Sequence, residues 1–143
     1  SRPLAARKGE AMPANKLVVH FRDGRVLKGH SMDFNPKKEI FHLVTEGYPQ
    51  VRTTVEVAKL KAVFFVKNFK GDPNYIPSNE FDPDGSYVGK KMKVTFLDGE
   101  VMAGVRQGYR EDSPGFFLVP VDPGSNAERA FIVKAALESM EEI

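Results

Sequence analysis

Three histidines are the first residues in this chain that could supply chemistry. His20, His30 and His42 fall in the first three extended segments of the N-terminal half. Neighbouring strands can bring two imidazoles together as metal ligands or as an acid–base pair. The rest of the sequence argues against either use. Seventy-five residues further along, the matching positions hold Thr95, Val105 and Phe117, and no carboxylate spacing completes a metal set. There is no cysteine, so disulfides and thiolate chemistry are excluded. Neither a nucleophilic triad nor a phosphate-cradling glycine loop is present. The expectation is a protein that is not an enzyme and needs neither metal nor cofactor.

Lysines form the second candidate set. Lys37, Lys38, Lys90, Lys91 and Lys93 lie near Phe and Tyr residues, a combination that can track a nucleic-acid backbone while bases stack on the rings. Lysines on strand edges also prevent unwanted sheet pairing. Lys and Arg number 21 against 19 Asp and Glu, a net charge of +2, below the dense basic cluster of a dedicated nucleic-acid binder. Part of that charge sits at Arg2, Arg7 and Lys8 in a segment without a signal-peptide core. Residues 1–14 read as a flexible basic segment. Met12 before Pro-Ala-Asn resembles a natural start, which would make residues 1–11 an upstream extension. No apolar run approaches the roughly 18 residues of a membrane helix, so no membrane partner is expected and the cytoplasm is the expected compartment.

These residues must be positioned by a repeated unit. Asp98-Gly99 lies 75 residues after Asp23-Gly24, and laying residues 16–44 over 91–119 makes ten of the 29 positions identical. Unrelated segments would share about two at background frequencies. Leu17, Val19 and Phe21 alternate with Val18, His20 and Arg22, and Met92, Val94 and Phe96 repeat the pattern, the period of a half-buried strand. Asp-Gly then closes a tight hairpin. Gly29 and Gly104 mark a bend or a close backbone approach in the next strand. Phe41 to Val44 and Phe116 to Val119 predict a third strand, Thr53 to Val57 and Ala130 to Val133 a fourth, and Ala62 to Val66 a fifth. Near Leu137 to Met140 the register is open.

Five short bent strands in about 55 residues close most naturally as a small barrel. The chain therefore reads as all-β: a first barrel over 15–67, a Pro- and Gly-rich linker over 68–89 and a second barrel over 90–143. The linker carries Phe69, Tyr75, Ile76, Phe81 and Tyr87, more apolar surface than a free spacer needs, and is expected to pack along the barrels.

The run from Val18 to Gly29, with Phe34-Asn35 and Phe41-His42-Leu43, resembles the first motif of the Sm and Sm-like proteins. Asp98-Gly99, Gly104, Tyr109 and Phe116 to Val119 repeat it. The resemblance implies tandem five-stranded Sm-like or SH3-like barrels over about two thirds of the chain. The family's RNA sites place an Asn near the start of the third strand and a basic residue followed by Gly between strands four and five. Here those places hold Ile40-Phe41 and Leu60-Lys61-Ala62, then Gly115-Phe116 and roughly Ala135-Ala136, so the RNA-binding residues do not carry over. The pattern is also similar to an uncharacterised bacterial domain family. Asp84-Gly85-Ser86-Tyr87-Val88-Gly89 resembles the Asp-x-Ser-x-x-Gly signature of PilZ domains, which implies cyclic di-GMP held by Asp84, Ser86 and Gly89. The arginine clamp of that family would have to come from Arg2 and Arg7, which are spaced one residue too far and lie about 80 residues upstream.

The expected function is a non-enzymatic binding or adaptor module that offers barrel edges and loops to a protein partner. A leftover edge strand on each barrel also invites pairing within or between chains. The alternative is Sm-like RNA or nucleotide binding.

Overall fold

Alternating side chains and tight turns make ten strands over residues 15–143, the part of the chain that the computed structural model describes. In the first half β1 spans Asn15–Phe21, β2 Val26–Ser31, β3 Ile40–Thr45, β4 Arg52–Glu56 and β5 Leu60–Val66. In the second, β6 spans Lys90–Phe96, β7 Val101–Gln107, β8 Gly115–Pro120, β9 Ala127–Val133 and β10 Leu137–Glu142. Short 3-10 turns, Val57–Lys59 and Lys134–Ala136, lead into β5 and β10. The class is all-β. The strands are antiparallel neighbours in one ten-stranded sheet, in the order β10-β6-β7-β8-β9-β5-β1-β2-β3-β4.

Pairing registers recur along the chain. Leu17 faces Gly29 as Met92 faces Gly104, and Gly29 faces Thr45 as Gly104 faces Pro120. The backbone bond from Arg22 N–H to the Lys59 carbonyl has its counterpart from Leu97 to Ala136. Asp23-Gly24 sits in a three-residue turn closed by Phe21 N–H to the Arg25 carbonyl, with Gly24 at φ 97°. From the fourth strand the spacing widens to 77 residues, from Val57 to Lys134 at the two 3-10 turns. The counterparts of Leu60-Lys61-Ala62 are therefore Leu137-Glu138-Ser139, not Ala135-Ala136. The cause is two extra residues between Leu118 and its partner Ala130, compared with Leu43 and its partner Thr53. β10 is a full strand, paired with β6 from Leu137–Phe96 to Glu142–Met92.

Gly29 and Gly104 serve one steric purpose. A Cβ on either would overlap the carbonyl oxygen of the next strand, Val44 or Val119, where β2 and β7 cross closely over their neighbours.

Two hydrophobic cores lie on opposite faces of the central strands. One gathers Leu17, Val19, Phe41, Leu43, Val55, Val63, Phe65, Phe131 and Val133; the other Ala62, Met92, Val94, Phe96, Phe116, Leu118, Ala130 and Ile132. β5 gives Val63 and Phe65 to the first core and Ala62 to the second, while β9 gives Phe131 and Val133 to the first and Ala130 and Ile132 to the second. Both strands are thus buried on both faces, which is why Ala62–Val66 and Ala130–Val133 are unbroken apolar runs instead of alternating ones. They pair directly, Phe131 opposite Val63 and Ile132 opposite Ala62.

The linker has no strand but is tied to both halves. The Lys28 ammonium donates to the Phe69 carbonyl at 2.8 Å. Asp122 accepts from the Tyr75 hydroxyl at 2.7 Å and from Ser78 N–H at 2.9 Å. The Asn79 side chain bridges Val101 and Ala103. Among the described residues no helix is long and apolar enough to cross a membrane.

Candidate functional site

The linker roofs a groove on the outer face of the sheet. Val18 and His20 of β1, Val26 and Lys28 of β2, and Phe64 and Val66 of β5 make its floor. These positions alternate with the residues facing the first core, and the strand period puts them on the opposite surface. Phe69, Tyr75 and Pro77 cover them, and Ser125 to Ala127, running into β9, form one end. The volume is about 540 Å³, within the range of small-molecule sites.

Seven of its fifteen lining residues are polar or charged, and Asp122 beside it anchors the roof. His20 packs edge-on against Phe64, with centroids 4.9 Å apart. Burial first, then the Lys61 charge, holds its imidazole below the usual histidine range. Asp122 is held below the usual carboxylate range by the Ser78 N–H and the Tyr75 hydroxyl, and the same carboxylate raises Tyr75. Glu100, at the rim, is bound by the Lys61 ammonium. Lys28 is committed to the Phe69 carbonyl. Of these groups, the Tyr75 hydroxyl and Asp122 are hydrogen-bonded to each other, and that bond also holds the roof. The arrangement offers an apolar-lined recess with polar groups at its walls.

Lys61 is a junction residue. Its side chain is only 12% exposed and contacts Asp98 at 2.7 Å and Glu100, both beside the β6–β7 turn, while its ammonium lies 4.8 Å from the Phe96 ring centre. Burial pulls this ammonium down, but its bonds to Asp98 and Glu100 outweigh that and raise it above the usual lysine range. The sequence presents Lys61 only as one of several scattered lysines and at the position of the Sm-type basic residue, not as an ion-pair junction. Its signal is a lysine inside an apolar run whose neighbours serve both cores.

The three histidines do not converge. His20 faces the groove, His30 packs edge-on against Phe69 with centroids 5.4 Å apart, and His42 Nδ1 pairs with Asp33 at 2.7 Å. The His42 side chain, with its backbone N–H, brings Asp33 down to about 2. Among the described residues no group of three or more His, Asp or Glu is placed to hold a metal ion.

Nor do the lysines make one face. Lys37 and Lys38 lie in the β2–β3 turn, where the Lys37 and Lys38 N–H groups bond to Asn35. Lys90, Lys91 and Lys93 lie on β6. Lys90 reaches Glu142 at 3.5 Å, and Lys91 sits 5.6 Å from the Phe81 ring centre and 5.1 Å from that of Tyr87. Lys93 is exposed.

Asp84, Ser86 and Gly89 belong to the approach to β6. Asp84 N–H bonds to the Asp82 side chain and Gly85 N–H to the Asp82 carbonyl, a local turn. Gly89 has φ 118°, and a Cβ there would strike the Arg106 carbonyl, so turn geometry accounts for this glycine. Arg2 and Arg7 lie outside the described residues.

Comparison with known proteins places these features in one family. The search of curated proteins finds no match, and the search of solved structures finds none. One family model matches residues 13–143, the whole ten-strand region. The chain belongs to that family, DUF6982, a family of unknown function.

Proposed function

We propose that this chain is a non-enzymatic binding module, two tandem five-stranded Sm-like barrels merged into one sheet, which offers its edge strands to a protein partner in the cytoplasm. The two units span 15–67 and 90–143, with 68–89 as a packed linker. The observation that carries the reading is the pair of sheet edges. Among the described strands, β4 is paired on one side by β3 and β10 on one side by β6. An edge of this kind presents unpaired N–H and C=O groups on which an extended segment can add. The groove supports binding over catalysis, because its floor is mostly apolar and its Lys28 and Glu100 are separately engaged.

The test is capture by immobilised chain, compared with a Thr54→Pro, Glu142→Pro variant, two positions whose N–H groups point away from the neighbouring strand. Proline is tolerated on an edge strand but removes a donor that an added strand would use. Partner capture should fall at least tenfold while the melting temperature stays within about 5 °C. The reading fails if RNA binds tightly and is lost on charge reversal of Lys90, Lys91 and Lys93 while no protein is captured through the edges.

A further inference from the structure

The groove beneath the linker is lined by two opposite charges that have no ionic partner. Lys28 spends one ammonium proton on the Phe69 carbonyl at 2.8 Å and is in no ion pair among the described residues. Two of its three donors remain. Asp72, on the linker wall, accepts the Asn74 N–H at 2.9 Å and meets no Lys or Arg among the described residues. Glu100, the other carboxylate of the lining, is neutralised by Lys61. Lys28 and Asp72 do not pair with each other, so each keeps capacity for an ion that enters between them.

Ser125 adds an independent sign of a ligand. It is only 8% exposed and lines the same cavity. Its oxygen accepts the Ala127 N–H at 3.2 Å, yet its hydroxyl proton goes to no acceptor among the described residues. Buried donors are ordinarily satisfied, and an oxygen arriving in the groove satisfies this one.

We propose that the groove is a site for a free α-amino acid with an aromatic or bulky apolar side chain. Lys28 takes the carboxylate, with the Ser125 hydroxyl as a second donor, and Asp72 takes the ammonium. The side chain lies on Val26, Phe64 and Val66, under the Phe69 and Tyr75 rings. The volume of about 540 Å³ is ample for such a molecule. The balance of charge sets the class. A phosphate would be repelled by Asp72 and a diamine by Lys28, whereas a zwitterion satisfies both. The site lies on the face of β1, β2 and β5, away from the edges at β4 and β10, so it does not rest on the edge-strand reading.

Calorimetric titration of the intact chain with L-phenylalanine tests the site. Binding should be saturable and one-to-one, with a Kd of about 1 mM or tighter. Phenylpropionate, which lacks the ammonium, and phenethylamine, which lacks the carboxylate, should each bind at least tenfold more weakly. Asp72→Asn keeps an acceptor for the Asn74 N–H and should weaken phenylalanine about tenfold while leaving phenylpropionate unchanged. Lys28→Met should weaken phenylalanine and phenylpropionate and leave phenethylamine unchanged, which also shows that the roof is intact. Ser125→Ala should weaken the two carboxylates alike. Both charged positions are exposed, so these variants should melt within about 2 °C of the unmodified chain. No saturable binding of L-phenylalanine up to about 10 mM would overturn the inference. So would analogues and charge variants that bind as phenylalanine and the unmodified chain do, since apolar contact alone would then explain the affinity. The Thr54→Pro, Glu142→Pro variant should bind phenylalanine unchanged. Failure of partner capture with intact titration removes the edge reading alone, and failed titration with intact capture removes the groove alone.

Discussion

Lys61 is one of the side chains through which the two halves meet outside the hydrophobic cores. Asp98 is held below the usual carboxylate range chiefly by its bond from Lys61, and Lys61 is raised by Asp98 and Glu100 against the opposing effect of burial. The signs follow from linkage. A lowered carboxylate contributes stability above its ordinary range and loses it as pH falls through the lowered value. A raised lysine contributes below its ordinary range and loses it as pH rises through the raised value. Lys61→Met should therefore lower the melting temperature by about 2–5 °C near pH 7. The gap from the unmodified chain should narrow towards both the acid and the alkaline end. Thermal melts across pH read this directly, and a gap independent of pH would mean that the ion pair contributes nothing.

Much of the molecule at the scale of single elements was legible in the sequence. The period-two alternation of Leu17 to Phe21 and Met92 to Phe96 identifies β1 and β6, and the Asp-Gly turns after them fall where expected. Gly29 and Gly104 mark a close crossing, as their position inside a strand suggests. What alternation could not reveal is which strands serve two cores. A short apolar run such as Ala62–Val66 reads the same whether one face or both are buried, and the second face belongs to residues more than sixty positions away, such as Ile132. The groove was hidden for a related reason: its roof is the linker, whose aromatic residues announce packing but not their target. Asp122 fixes that roof by accepting from Tyr75, Ser78 and Gly124. Asp122→Ala should speed backbone hydrogen exchange at residues 72–80 about tenfold or more with little change in melting temperature, since the linker opens locally. Unchanged exchange would show that the rings alone hold it.

For the whole molecule, the central pairing of β9 with β5 decides how the halves relate. It joins the two halves into one ten-stranded sheet whose middle strands are buried on both faces, and it leaves β4 and β10 as the described edges. The lysines that suggested nucleic acid are divided between the β2–β3 turn and β6, with Lys90 and Lys91 engaged by Glu142 and the linker rings. The proposed binding function therefore rests on the edges and not on charge. Hydrogen exchange of the chain alone, of the chain with the protein captured on it and of the chain with oligouridine RNA tests that claim most directly. The captured protein should protect residues 52–56 and 137–142 several-fold and leave β5 and β9 unchanged, with no added protection from RNA. Edges that exchange equally fast with and without the captured protein, together with RNA-dependent protection of residues 90–96, would contradict it.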